Sequence, residues 1–264
     1  MEASRGTAVR QFLTGVGLLG RGLALYARSP ALMALGIVPA LICGALYAAG
    51  LVALLYFLAD LAALVTWFAA DWAEAARNVV RVLAGAALVG ATGLLGVLTF
   101  TAATLLVGDP FYEKISERVE ARYGGVPGGV EVPWWRSLRR SLADSVRLIG
   151  LTVLVGIPLF VAGFVPFVGQ IVVPVLGATL AGWFLAVELT GVPFQRRGRR
   201  LPDRRRALRA QRPVALGFGV AVFLCFLIPL GAVLLMPAAV AGGTLLARRV
   251  LGAPVDGPAG AGPP

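Results

Sequence analysis

Four stretches of this chain, residues 29–59, 82–108, 148–187 and 213–247, contain no charged residue, and the arginines crowd into the segments between them. Each window is 27 residues or longer, whereas about 20 apolar residues carry a helix across a bilayer's hydrocarbon core. A soluble core rarely needs so many in a row. Hydrophobic residues make up 58% of the chain and charged residues 14%, which leaves too little polar surface for a soluble domain. The pattern predicts a polytopic, all-α membrane protein.

The +11 net charge does not point to nucleic acid. The arginines flank apolar segments instead of interleaving with aromatics, as basic loops facing anionic lipid do. Cys43 and Cys225 lie in separate apolar windows, where a lone cysteine behaves as a small hydrophobe, and give neither a metal set nor a disulfide. The chain has no histidine, so Ser-His-Asp catalysis and histidine metal ligation are excluded. No carboxylate pair or nucleophile with a base stands out at a recognisable spacing, so neither catalysis nor a cofactor is expected. The first apolar run begins near Ser29 and is too long for a signal peptide, so no cleavage is expected.

Topology follows from charge and length. Lysine and arginine number four before Ser29, two in 60–81, seven in 109–147, nine in 188–212 and two after Ala247. Only the 60–81 loop is poor in base, and its acids Asp60, Asp71 and Glu74 outnumber Arg77 and Arg81. The positive-inside rule places that loop outside and the other segments, with both termini, in the cytoplasm. The third and fourth windows then begin and end on one face, so each is expected to be a hairpin. Natural breaks are Gly163-Phe164-Val165-Pro166-Phe167-Val168-Gly169 and Pro229-Leu230-Gly231, which combine glycine freedom with a proline that lacks an N–H. The arms are about 18 and about 16 residues, roughly 27 and 24 Å, against a core of roughly 30 Å. Such a wedge needs its tip backbone satisfied by protein or water, so tight packing or a homo-oligomer is expected. The fold expected is therefore two long transmembrane helices plus two helical hairpins that partly or fully penetrate the bilayer from the cytoplasmic side.

Smaller features fill in the rest. Gly85, Ala86, Gly90, Gly93 and Gly96 are read as a close-packing stripe. Residues 110–123 are expected to form a separate charged helix after Asp109-Pro110. Residues 134–147, with Trp134, Trp135, Arg136, Arg139, Arg140 and Arg147, are expected to lie along the cytoplasmic surface against anionic lipid, and 196–212 are similar. Residues 1–251 form a single transmembrane domain, and 252–264 are expected to be a disordered tail. No Asp, Glu, Lys or Arg interrupts a window, which disfavours a buried proton relay. Thr92, Thr99, Thr101, Thr104 and Gln170 could line a polar path, but the hydroxyls are expected to bond their own backbone instead.

One candidate site stands out. Gly15-Val16-Gly17-Leu18-Leu19-Gly20-Arg21-Gly22 precedes Arg28-Ser29-Pro30 at the start of the first window. Glycine turns and helix N-termini present unpaired N–H groups, and Arg21 and Arg28 add forked donors, a combination suited to sulfate or phosphate. An amphipathic interfacial helix is the competing description of the same residues.

Several strings together resemble the CysZ-like sulfate permease and etoposide-induced-protein family. They are Gly22-Leu23-Ala24-Leu25-Tyr26 with Pro39, then Asp109-Pro110-Phe111 leading to Glu117, Val119 and Glu120, and Pro166-Phe167-Val168-Gly169-Gln170 with Pro193-Phe194. Leu216-Gly217-Phe218-Gly219, Ile228-Pro229 and Met236-Pro237-Ala238-Ala239-Val240-Ala241-Gly242-Gly243-Thr244 complete the set. The resemblance implies an oligomer with two long transmembrane helices and two partly penetrating hairpins in the inner (plasma) membrane. It also implies sulfate uptake for cysteine synthesis, with the anion held near Gly22, Leu23, Ala24, Leu25 and Tyr26. Leu32 and Met33 stand where relatives often have paired arginines, which leaves Arg21 and Arg28 as the nearby cations.

Two functions follow as expectations. One is ATP-independent, channel-like conduction of a small oxyanion, with sulfate foremost; no Walker-type motif is present. The other is a non-transporting membrane-organising or scaffold protein acting through wedge hairpins and basic interfacial helices. The topology is testable directly: single cysteines beside Arg197 and Arg248 should be labelled only from the cytoplasm, and labelling of either from outside would overturn it.

Overall fold

A computed structural model describes residues 2–126, 150, 153–154, 156–164, 168–228 and 230–255. The expected surface helix at 134–147 lies outside the described residues. Their helices with bounded ends are α1 (Glu2–Arg28), α2 (Pro30–Tyr56), α3 (Leu58–Val65), α4 (Glu74–Arg122), α5 (Val173–Leu189), α6 (Gly191–Arg196), α7 (Leu201–Ala210), α8 (Arg212–Phe226) and α9 (Gly231–Val250), and residues 156–162 are helical as well. A short 3-10 turn, Trp67–Ala69, follows α3, and a π-helical turn, Val168–Val172, leads into α5. Among the described residues, Pro30–Tyr56, Glu74–Arg122, Val173–Arg196 and Gly231–Val250 are long and apolar enough to cross a membrane, and the bent pair α7–α8 makes a fifth candidate. No strand is present among them. The protein is an all-α, multi-pass membrane protein.

The chain divides into two compact units. One is Ile37–Pro110; the other combines Met1–Gly36 with Phe111–Pro264. In the first, α2 and α4 meet where the Tyr47 hydroxyl donates to Thr99 Oγ1 at 2.7 Å and the Tyr47 ring meets Phe100 edge-on. Thr99 in turn donates to Leu95 O, four residues back, as expected for a hydroxyl in an apolar helix. Large apolar side chains such as Leu41, Leu46, Val52, Leu94 and Leu106 face outward, which suits lipid as the surrounding solvent. The expected glycine stripe is only partly a contact. A Cβ at Gly85 or Gly96 would touch Leu58 or Tyr47, but Gly90 and Gly93 face open space.

The second unit holds the tight packing. Helices flank both expected breaks, although residues 165–167 and Pro229 of those breaks lie outside the described residues. Helical residues 156–162 stop at Gly163, Gly169 packs against the Gly163 carbonyl ahead of α5, and Gly177 on α5 faces Leu159 on the earlier arm. In the other, α8 ends at Phe226 and α9 begins at Gly231, with Leu230 in the left-handed conformation (φ 61°). Glycines let backbones touch where these arms cross their neighbours. A Cβ at Gly22 of α1 would lie 2.5 Å from Ala238 O and Gly242 N of α9, and one at Gly219 of α8 would fall on the Gly182 carbonyl of α5. α1 is thereby fastened to the α8–α9 hairpin and is more than an interfacial helix.

Two expectations change. Residues 110–123 are not a separate helix, because α4 runs without interruption through Pro110 to Arg122. Over 49 residues it is about 73 Å long, so only part of it lies in a hydrocarbon core of roughly 30 Å. The tail also begins in order: Gly252, at φ 71°, turns the end of α9, and residues 253–255 make hydrogen bonds. Residues 256–264 lie outside the described set. Cys43 and Cys225 are free thiols.

The glycine crossings make a stability prediction. Gly219→Ala should destabilise the protein by about 1–3 kcal/mol through overpacking. Gly20→Ala, in open space on α1, should instead stabilise by about 0.5–1 kcal/mol. Thermal unfolding in detergent checks both.

Candidate anion site and the ion cluster that holds it

The sequence-selected residues lie in the last two turns of α1 and at its junction with α2. Arg21, Gly22, Leu23, Ala24, Leu25, Tyr26 and Arg28 are all helical, and their amides follow the intrahelical i→i−4 pattern instead of opening as a glycine turn. Gly22 serves the α1–α9 contact. Ser29 links the two helices: its carbonyl accepts from Leu32 N and Met33 N, both at 3.0 Å, at the start of α2. Leu23, Arg28 and Met33 are exposed, whereas Arg21, Ala24, Leu25 and Tyr26 are half-buried. The amides of residues 21–28 are thus spent on structure, which leaves the side chains and the first turn of α2 as the groups that could face an anion.

Contacts from α4 and α9, and others between α1 and α2 themselves, brace this elbow. Arg118 Nη1 on α4 donates to Ala31 O at 3.1 Å. The Tyr26 hydroxyl lies 3.4 Å from Met33 O, and burial pushes its phenol above the ordinary range, so it remains a neutral donor. Gly36 on α2 permits the approach: a Cβ there would sit 2.5 Å from the Tyr26 hydroxyl and 2.6 Å from Pro237 Cγ of α9. Arg21 is not a free cation, because its Nη2 donates to the carbonyl of Val255.

That bond leads to a cluster the sequence did not reveal. Glu120 on α4 is fully buried and accepts two hydrogen bonds from Arg197, at 2.6 and 3.0 Å, and a third from Arg248 Nη1. Arg248, 2% exposed, also donates to the carbonyls of Tyr123, Gly125 and Pro254 and lies 5.7 Å from the Tyr123 ring centroid. Pro254 and Val255 are adjacent, so their successive carbonyls join Arg248 to Arg21.

The cluster sits where three helices stop. α4, α6 and α9 each end with a glycine at positive φ: Gly124 (95°), Gly198 (66°) and Gly252 (71°). In each the next residue's N–H reaches five residues back along the ending turn: Gly125 to Glu120 O, Arg199 to Phe194 O and Ala253 to Arg248 O. These are Schellman ends, which leave carbonyls gathered at the negative pole of each helix. Two guanidiniums against one carboxylate are therefore balanced by helix C-termini as well. Three segments assigned to one membrane face by charge, 109–147, 188–212 and the C-terminal part, are tied together here. A visible signal was the recurrent Gly one or two residues after a charged helix end; which partners would meet was not visible.

With fold and geometry in place, the class is a polytopic membrane protein whose apolar hairpins are tied at one end by buried ion pairs. The sequence matches the family described as "Sulfate transporter CysZ/Etoposide-induced protein 2.4" over residues 18–237, and the chain belongs to that family. Similar relatives include the protein named "Sulfate transporter CysZ" of Pseudomonas fluorescens strain Pf-5, 33% identical over 157 residues, which are 58% of this chain and 63% of the relative. Its namesake in Pseudomonas syringae pv. tomato strain DC3000 is 31% identical over 163 residues, 61% of this chain and 64% of the relative. That of Pectobacterium atrosepticum is 28% identical over 149 residues, 56% and 54%. The matched region thus spans less than two thirds of these relatives' length.

Removing the acid tests the cluster. Glu120→Ala should cost about 3–5 kcal/mol, because it leaves two largely buried guanidiniums without their carboxylate. Arg206→Ala, at an exposed pair 3.7 Å from Asp203, should cost less than about 1 kcal/mol. Chemical unfolding in detergent compares the two.

Proposed function

We propose that this protein conducts sulfate, or a closely similar oxyanion, across the cell's inner membrane for sulfur assimilation, by a channel-like route that uses no ATP. The single observation that carries this reading is the α1–α2 elbow. There Arg28 stands exposed at the end of one helix and beside the start of the next, within a chain whose relatives bear the name of sulfate transporters. A guanidinium offers forked donors matched to an oxyanion, and the first turn of α2 adds the positive end of a helix.

Roles differ along the motif. Arg28 is the leading anion contact. Of the helical residues before it, Leu25 and Ala24, three and four back, share its face of α1 while Leu23 and Tyr26 flank that face; Gly22 fixes α1 against α9, and Arg21 gives up the Val255 carbonyl if it turns toward the anion. Charge-free apolar windows fit passive conduction better than proton coupling. Assembly as a homo-oligomer, with both termini cytoplasmic, belongs to the same proposal.

Purified protein in liposomes should take up radiolabelled sulfate above empty vesicles. Arg28→Gln should weaken apparent sulfate affinity roughly ten- to hundred-fold, the scale of one charge-assisted hydrogen bond lost; Arg21→Gln should do less. Absence of flux from folded, inserted protein would end the proposal.

A further inference from the structure

The segment from Gln195 to Arg212 holds nine arginines and one acid, and the fold divides them. Arg197 turns inward to Glu120, and Arg204, 4% exposed, is packed with its Nη1 against Gly191, where a Cβ would lie 2.6 Å away. Arg199, Arg200, Arg206, Arg209 and Arg212 remain exposed. α7 is consequently two-faced. Leu201, Arg204 and Leu208, at spacings of three and four, are buried against the unit, and Arg206 and Arg209 point away with Arg205 half-exposed between the faces.

Orientation comes from the next helix. α7 and α8 meet at 105° across a single residue, Gln211. After Arg212, α8 has no charged side chain and packs with α1, α5 and α9. With α8 directed into the bilayer, α7 lies in its plane, at the depth where headgroups sit. Asp203 accepts from Arg200 N at 3.2 Å at the start of α7 and stands 3.7 Å from Arg206, so the segment's one acid caps its own helix and offsets one arginine of the outer face, leaving the rest in excess.

We propose that the outer face of α7, with Arg199, Arg200, Arg205, Arg206, Arg209 and Arg212, is a docking surface for anionic phospholipid headgroups. Forked guanidiniums pair with phosphodiesters, and each arginine near an anionic leaflet adds about a fivefold preference. The surface is separate from the α1–α2 elbow and stands whether or not that elbow binds sulfate.

The test uses the full-length protein in mixed micelles. Photoreactive phosphatidylglycerol should crosslink preferentially to peptides within 199–212, and photoreactive phosphatidylcholine should not. Arg205→Gln/Arg206→Gln/Arg209→Gln should weaken phosphatidylglycerol binding on the order of a hundred-fold, whereas Arg10→Gln/Arg81→Gln/Arg122→Gln, equal in charge removed, should leave it within about threefold. Excess inorganic phosphate should not displace the lipid. Equal labelling by the two lipids, or equal loss in the two triple variants, would overturn the proposal. Should the α7 variant fail to fold, the location of crosslinks in the unaltered protein decides.

Discussion

The Glu120 carboxylate is the point on which the second unit depends. It receives Arg197 from the connection after α6 and Arg248 from the end of α9, so three segments distant in sequence share one buried charge. Burying three ions is costly, and each must find full hydrogen bonding to remain. Here the requirement is met by the carboxylate and by the carbonyls of Tyr123, Gly125, Pro193 and Pro254. Glycines in the left-handed conformation at three helix ends make those carbonyls available. A polar knot of this kind fixes which ends lie together in a way that apolar hairpins alone do not, since Leu and Val surfaces slide against one another at little cost.

From that knot, constraint passes to the elbow by two routes. α4 carries Arg118, two residues from Glu120, to Ala31 O. The C-terminal segment carries the carbonyls of Pro254 and Val255 to Arg248 and Arg21. The α1–α2 junction is thus held through the same helix and the same C-terminal segment that meet at the knot, while Arg28 is left at the surface. Packing supplies the remainder: α1 lies against α9 at Gly22 with essentially no side chain between the backbones, so its register leaves little freedom to the residues that follow.

Much of the architecture was legible before any coordinates. Charge-free windows longer than a bilayer span gave the helices. Breaks at Gly163–Gly169 and at 229–231 followed from glycine and proline chemistry, and the described helices stop at Gly163 and Phe226 and resume at Val168 and Gly231 as that chemistry predicts. The continuity of α4 through Pro110 was less visible, because proline lacks an N–H and ordinarily ends a helix. The glycines of 15–22 could serve a turn or a crossing, and only the opposing backbone of α8 and α9 shows that Gly15 and Gly22 serve crossings. Gly90 and Gly93 erred the other way, being small without a neighbour.

Sequence by itself determined that this chain lives in a membrane, which segments are apolar, where they turn and which residue types stand ready for an oxyanion. These are properties of local composition and period, and water or lipid acts on them one segment at a time. Tertiary structure decided that Arg21 is held by Val255, that Arg197 and Arg204 face inward while their neighbours face out, and that Glu120 joins three helix ends. Such choices depend on which backbone carbonyls and charges meet across distances of 77 and 128 residues, and no local pattern of side chains specifies that meeting.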